Sequence, residues 1–431
     1  MRVLALLLSV ALIGVLTLTP GGQLLAVSDG RSVWQRVSCV TCPATWLADI
    51  VSNIVLFVPF GAALLAARVS LVRAILIGAA ASLAIELLQL TGVPSGRAPA
   101  LADLVSNTLG TAVGAVCVRQ LAALLRPEQG TAQRLRAVWT LACALMLLGS
   151  AMAMAPAMPV RAGQSVAPSV LPFTPGYGWF AAAAHDARVN GVPIAHVGSG
   201  PVIVAAPRTA RIDAAVAVQG RDERRYAVPI VFVHDPSMTT VDPTLTRAHL
   251  LLAQVGPDVA LSSYLMAARW GLCTPSLVSE GAFRADGTGR VQLQGRVASD
   301  VWTVQWSDTT APASVHAATL TLSPALGWTL LQTVVPASAI IAPLLTWLWL
   351  TVWFAPLGYW TPVRPTTGVL RMMSEALAAT VGLLLIGLAA AKSTSTAPLS
   401  VPASGWSVVA CAGGAYLRLH LARRRTRQSV A

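Results

Sequence analysis

Charge is what this sequence has least of. Only 11% of its 431 residues are Asp, Glu, Lys or Arg, while 55% are hydrophobic and the mean hydropathy is +0.66. A soluble globular chain carries about a quarter charged residues, so this composition excludes an ordinary water-exposed fold and points to a bilayer. Lysine is almost missing: Lys392 stands alone, and the formal net charge of +13 comes from Arg. The basic residues form no single patch and accompany no recognition motif, which argues against a nucleic-acid partner. Cysteine is sparse, with Cys117, Cys143, Cys273 and Cys411 isolated and one close pair, Cys39-Val-Thr-Cys42. Without a second pair or a βαβ context, that pair reads as a local disulfide or as two plain thiols, not as redox or zinc chemistry. No metal-ligand spacing and no cofactor motif is present.

Apolar runs long enough to cross about 30 Å of hydrocarbon lie near 3–19, 50–67, 71–91, 103–125, 137–155, 334–356, 372–391 and 405–421. The sequence therefore predicts about eight transmembrane helices. The first follows Arg2 like a signal peptide, but a good small-residue cleavage pattern is lacking, so an uncleaved helix is expected. Basic residues recur in every second connection: Arg68 and Arg73, then Arg119 to Arg136, then Arg364 and Arg371, then Arg418 to Arg427 at the tail. Retention of Arg on the cytoplasmic side then puts both termini in the cytoplasm of a multi-pass protein and residues 156–333 outside. The basic tail would attract anionic lipid headgroups. Glu375 falls near the cytoplasmic end of its span, within reach of headgroup water.

Residues 156–333 have a different texture. Short alternating runs such as Pro201 to Ala205, Arg211 to Val218, Val228 to Val233, His249 to Gln254, Val291 to Val297, Val301 to Trp306 and Ala318 to Leu322 read as strands. Turn signals at Val255-Gly-Pro-Asp and Ala285-Asp-Gly-Thr-Gly separate them. Many short strands over this length suggest an antiparallel β-sandwich. The chain divides accordingly into a five-helix membrane part (1–155), an extracytoplasmic all-β insert (156–333) and a three-helix membrane region with a basic tail (334–431).

Outside the insert the carboxylates reduce to Asp29, Asp49, Glu86, Asp103, Glu128 and Glu375. Ionisable groups inside spans are costly and face the bundle interior or a wet cavity, and three of these fall in spans two to four. Asp49-Ile-Val-Ser-Asn53 opens span two, and Asp103-Leu-Val-Ser-Asn107 opens span four almost residue for residue. Each Asp/Asn pair shares a helical face at i, i+4. Glu86 and Gln89 lie one to two turns below the outer end of span three, and Arg97 follows in the next loop. With the topology above, Asp49, Asn53, Glu86, Gln89, Arg97, Asp103 and Asn107 share one depth at the extracytoplasmic face. Two readings compete. In one, the Asp residues cap helix starts, Glu86 pairs with Arg97, and the amides hold helices together. In the other, the set lines a polar cavity, since capping requires no Glu at depth. Without a His or a nucleophile motif, no catalytic role is assigned to any of them.

The stretches Asp49 to Gly61, Ile85-Glu-Leu-Leu-Gln89, Arg97, and Asp103 to Gly110 with Gly114 resemble the VanZ-like family of bacterial membrane proteins in order, spacing and topology. The likeness covers roughly residues 5–155. It implies that Asn53, Glu86, Gln89, Arg97, Asp103 and Asn107 are motif residues and that Pro59, Gly61, Gly110 and Gly114 are structural ones. It also implies a cell-envelope role linked to glycopeptide resistance, since the family's namesake is associated with low-level teicoplanin resistance. Longer VanZ-like proteins are similar in carrying a concanavalin-like or laminin-G-like jelly roll as the insert. The partners so implied are an envelope lipid headgroup, a lipid-linked precursor or a glycan, with an enzyme acting on such a substrate or an assembly scaffold as alternatives. In the insert, Trp270, Trp302, Trp306, Asp286 and Asp308 are sugar-binding types, although alternating Trp302 and Trp306 fit a core better. Trp347, Trp349, Trp353 and Trp360 fit an interfacial aromatic belt.

Overall fold

The computed structural model describes residues 2–18, 33–38, 40, 45–91, 99–157, 167–169, 173–174, 178–179, 183–193, 210–217, 227–234, 250–283, 289–309, 314–331, 341–362 and 369–428. Helices α1 (Arg2–Leu18), α2 (Val33–Ser38), α3 (Trp46–Ala66), α4 (Leu71–Leu90), α5 (Leu101–Arg119), α6 (Leu121–Leu125) and α7 (Gln129–Ala153) precede the insert. A one-turn α8 (Met266–Arg269) lies within it, and α9 (Ile341–Tyr359), α10 (Val369–Thr394) and α11 (Val401–Gln428) follow. The protein is a polytopic α-helical membrane protein with an inserted β region.

Six described helices are long and apolar enough to span: α3, α4, α5, α7, α9 and α10. Of the expected eight, α1 and α11 fall short of this length and apolarity. Helix α1 is apolar but has 17 residues. Helix α11 has the length, but its Ser, Gly, Trp and Arg content dilutes the apolar run. It is accommodated by close packing on α9, where a Cβ at Gly358 or Gly414 would collide with the backbone at Cys411 or Ala355. Helix α7 starts eight residues before its apolar run because Gln129, Gln133, Arg134 and Arg136 are helix formers that hydropathy does not register. Helix α3 ends with Arg68 at φ 68°, Arg68 N–H donating to Leu65 O and Val69 N–H to Leu64 O. That is the paired-bond helix stop usually built on glycine.

The insert contains β1 (Ala167–Ser169), β2 (Phe173–Thr174), β3 (Gly178–Trp179), β4 (Ala183–Val189), β5 (Val192–Pro193), β6 (Ala210–Ala217) and β7 (Ala227–His234). It continues with β8 (Leu250–Val255), β9 (Asp258–Ser263), β10 (Leu277–Ser279), β11 (Arg290–Val297), β12 (Val301–Asp308) and β13 (Val315–Thr321). One antiparallel sheet runs β1-β7-β8-β9-β10 and another β13-β12-β11-β6-β4-β5, with β2 and β3 as a separate pair. The expected runs from 211, 228, 249, 291, 301 and 318 are β6, β7, β8, β11, β12 and β13; the run Pro201 to Ala205 lies outside the described residues. Strands β8 and β9 pair through the two-residue turn Gly256-Pro257, with Gly256 at φ 59° as a tight hairpin requires.

Alternation sets which face is buried. Ile212, Ala214, Val216, Val291, Leu293, Trp302 and Val304 from the second sheet share one core with Ile230, Leu250, Leu252, Val259 and Leu261 from the first. At Gly295 a Cβ would stand 3.1 Å from Leu261 Cδ1 of the facing sheet. Trp302 is a core residue, as its alternation suggests, while half-buried Trp306 stacks on His316 at 4.1 Å and donates from Nε1 to Ser279 Oγ.

The β region is bonded to one set of helix ends. Leu47 and Ala48 at the start of α3 donate to Gly271 O at 2.8 and 3.0 Å. Beyond α7, Ala157 N donates to Tyr264 O and Met266 N to Ala155 O; between α10 and α11, Ala397 N donates to Leu322 O. The start of α3, the end of α7 and the α10–α11 link therefore share the side of the bundle that bears the sheets, in agreement with the expected alternation.

Candidate functional site

Helix α4 is built inside out relative to a soluble helix. Its buried residues are Ala74, Gly78, Ser82, Glu86 and Gln89, a stripe at intervals of four, four, four and three, while Leu76, Ile77, Leu83, Leu87, Leu88 and Leu90 are exposed. The buried face of α5 is Ser106, Asn107, Gly110, Thr111, Gly114 and Ala115. In a bilayer the apolar side chains gain nothing by associating, so helices meet through small residues and polar contacts. The glycines permit the approach: Cβ atoms at Gly61, Gly110 and Gly114 would strike the backbone at Thr111, Ile54 and Val58, and one at Gly78 would strike the Thr111 side chain.

Polar side chains bridge the helices at this packing. Asn53 Nδ2 on α3 donates to Asp103 Oδ1 on α5 at 2.8 Å. Asn107 Nδ2, one turn deeper on α5, donates to Ser82 Oγ on α4 at 3.0 Å. Glu86 Oε2 accepts from the Ala100 backbone N–H at the start of α5, at 2.9 Å. The carboxylates of Glu86 and Asp103 also act on one another electrostatically. Asp49 is exposed at the start of α3, with Thr45 Oγ1 donating to its Oδ2 at 3.0 Å. Arg97 lies outside the described residues, as do Cys39, Cys42 and Asp286.

The structure thus brings Asn53, Glu86, Gln89, Asp103 and Asn107 to the α3–α4–α5 junction and places Asp49 at its rim. Two expectations change. The Asp/Asn repeat is not two equivalent faces: Asn53 holds Asp103, whereas Asn107 turns to α4. Glu86 at depth does serve a helix start, because Ala100, just before α5, donates its N–H to it. Ser82 is the member of this polar set missed in the sequence. Its spacing, Ser82-x3-Glu86-x2-Gln89, marks it as part of the same face, but a serine within a hydrophobic run passes as neutral.

Among the described residues, two polar atoms in this junction have no partner. Gln89 Oε1 and Asn107 Oδ1 are buried and accept no hydrogen bond, on side chains only 6% and 2% exposed. An unmade buried hydrogen bond costs about 1–3 kcal/mol, so two of them in one small cluster are an unusual expense. Together with the carboxylates they make the junction rich in acceptors. Among the described residues no three His, Cys, Asp or Glu side chains come together as a metal-ligand set.

Residues 5–125 match the family model described as VanZ/LLP1. The matched segment thus contains most of α1, all of α2 to α6 and every residue of the junction, and it stops before α7 and the β region. No curated protein and no solved structure matches the chain.

The loop of the β region that meets α3 lies beside the VanZ/LLP1 junction. Trp46 stands against Gly271, whose φ of 68° leaves no room for a side chain. Cys273, two residues on, is buried, and its thiol is pushed up to about 12, chiefly by burial and in part by the Asp49 carboxylate. It is therefore a packing thiol, with no thiolate to offer near neutral pH.

Proposed function

We propose that this is a cell-envelope membrane protein whose α3–α4–α5 junction binds the hydrogen-bond-donating headgroup of an envelope molecule, lipid-linked or peptidoglycan-derived. The observation that carries this reading is the pair of buried, unpartnered acceptors, Gln89 Oε1 and Asn107 Oδ1, beside the Glu86 and Asp103 carboxylates. Hydroxyl or ammonium groups of a sugar-peptide headgroup supply the donors that the junction lacks. Arg97, from the adjoining loop, is available to a phosphate of the same ligand. In this reading α1 and α11 cross the membrane as well, so that the junction and the β region face outside and both termini face the cytoplasm, which the Arg-rich alternate loops support. The β region is read as a concanavalin-like jelly-roll sandwich that recognises glycan beside the junction, supported by the two antiparallel sheets sharing one core.

Binding of a muramyl-peptide disaccharide and of its lipid-linked form to the purified full chain tests the proposal. Gln89→Leu should weaken binding at least tenfold, since a lost hydrogen bond to a polar headgroup is worth about 1.5–3 kcal/mol. Without a ligand role, the same replacement removes an unsatisfied oxygen and should only stabilise the protein. Equal affinity of wild type and Gln89→Leu for both probes overturns the reading. A link to teicoplanin resistance follows from the same site: cells producing the chain should tolerate more teicoplanin, and Glu86→Gln at equal membrane abundance should abolish the gain.

A scaffold reading has its own observation, the Glu86 bond to the Ala100 N–H, which anchors the start of α5. Degradation of both Glu86→Gln and Asp103→Asn in cells, with no variant separating abundance from binding, would favour it.

A further inference from the structure

At the opposite end of the bundle from the β region, α7 and α10 enclose a cavity of about 550 Å³, lined chiefly by Gln133, Arg136, Thr140, Pro362, Glu375 and Ala379. Its size falls in the range of small-molecule sites, about 300–1,000 Å³, and it combines a cation and an anion with small and polar walls. The Arg136 guanidinium is fixed by one bond, Nη2 donating to the backbone O of Glu375 at 2.7 Å. Its other contact is looser: Nη1 stands 3.7 Å from Glu375 Oε2, and Arg371 Nε stands 3.5 Å from Glu375 Oε1. These separations exceed a hydrogen bond, so the Glu375 carboxylate has charged neighbours on both sides without being bonded to either.

The surroundings fix the depth. Trp139 stacks on Trp353 and meets Trp360 edge-on, each pair at 5.5 Å. Trp139 Nε1 donates to Trp353 O and Trp360 Nε1 to Leu124 O, at the end of the bundle where Arg126, Arg134 and Arg371 cluster. Tryptophan with arginine at helix ends marks the headgroup layer. A cavity in that layer meets phospholipid before any other solute.

We propose that this cavity binds the phosphoethanolamine headgroup of a membrane phospholipid, Arg136 holding the phosphate and Glu375 the ammonium. Arginine has donors to spare for a phosphate after its bond to Glu375 O. The Glu375 carboxylate lining the same space disfavours a second negative group and selects a zwitterion over a purely anionic lipid. The site is independent of the α3–α4–α5 junction and stands whether or not that junction binds an envelope headgroup.

The full chain in nanodiscs with equal phosphatidylethanolamine and phosphatidylglycerol, analysed by native mass spectrometry, tests this. Wild type should retain phosphatidylethanolamine about threefold over phosphatidylglycerol, the factor a partly exposed ion pair provides. Glu375→Gln should bring the two lipids to parity, and Arg136→Gln should lower retention of both. Since Arg136 also holds α10, Ala379→Trp serves as a filling variant that leaves both charges in place; it should abolish retention with the melting temperature unchanged. Preference for phosphatidylglycerol, no retained lipid, or unchanged retention in Ala379→Trp overturns the proposal.

Discussion

Among the described residues of the membrane part, the buried polar atoms left without a partner are acceptors at Gln89 and Asn107 and donors at Trp349, Trp353 and Arg418. Asn53, Glu86 and Asn107 each make one interhelical bond, and those bonds alone would describe polar glue. The surplus acceptors, Gln89 Oε1 and Asn107 Oδ1, are what separate a site from a scaffold. They lead to opposite signs in one mutant: Gln89→Leu should raise the melting temperature of the ligand-free protein while lowering ligand affinity. Calorimetry of the purified chain with and without the muramyl-peptide probe reads both. Cys273 makes a second prediction at this scale. Its folded thiol titrates near 12, against about 8.5 in an unfolded chain, so the folded state binds the proton more tightly. That contribution is fully present below about pH 8.5 and is lost as pH rises toward 12. Cys273→Ala should therefore flatten the loss of stability between pH 9 and 11, and iodoacetamide should label native Cys273 slowly until the protein unfolds.

Among the elements, α3 and α5 matter most, because their contact sets the distance between Asn53 and Asp103. Helix α5 contributes Gly110 and Gly114, and α3 contributes Gly61, each lying against the partner's backbone. Gly114→Ile should force the helices apart. Overpacking of this kind costs about 1–3 kcal/mol, and it should also break the Asn53–Asp103 bond although both residues remain. Lower thermal stability of Gly114→Ile together with weakened probe binding would show that packing positions the site; full binding at reduced stability would show that it does not. The glycines were legible as a sequence stripe. Their partners were not, since a glycine at helical spacing says that something approaches closely and not what. The Asp-x3-Asn repeat illustrates the same limit: two nearly identical strings acquired different partners because α3 packs chiefly on α5, whereas α5 packs on both α3 and α4.

For the molecule as a whole, the β region and the ends of α3, α7 and α10 lie on one side, and the α7–α10 cavity lies at the other. The proposed orientation puts the first side outside the cell. Alkaline-phosphatase fusions after residue 331 should then be active, and fusions after residue 126 inactive; the reverse pattern would invert the assignment of both sites. Gly271→Val should loosen the β region from α3, because the φ of 68° and the Trp46 ring leave a branched side chain no place. Increased protease sensitivity between α7 and α9, with the VanZ/LLP1 segment intact, is the expected result.

What the sequence determined by itself follows from solvent. Hydropathy, alternate Arg-rich loops and period-two runs report how each segment meets lipid or water, and those choices are made residue by residue. They were enough for the six helices long and apolar enough to span and for most of the long strands. Helices α1 and α11 lie at the limit of that reading, where length and small polar residues depart from a plain apolar run. Only the tertiary structure decided which polar group meets which: that Glu86 anchors α5, that Ser82 belongs with Asn107, that Gly271 of the insert abuts α3, and that Arg136 and Glu375, 239 residues apart, share a cavity. Those pairings depend on crossing geometry between helices distant in sequence, which no local pattern encodes.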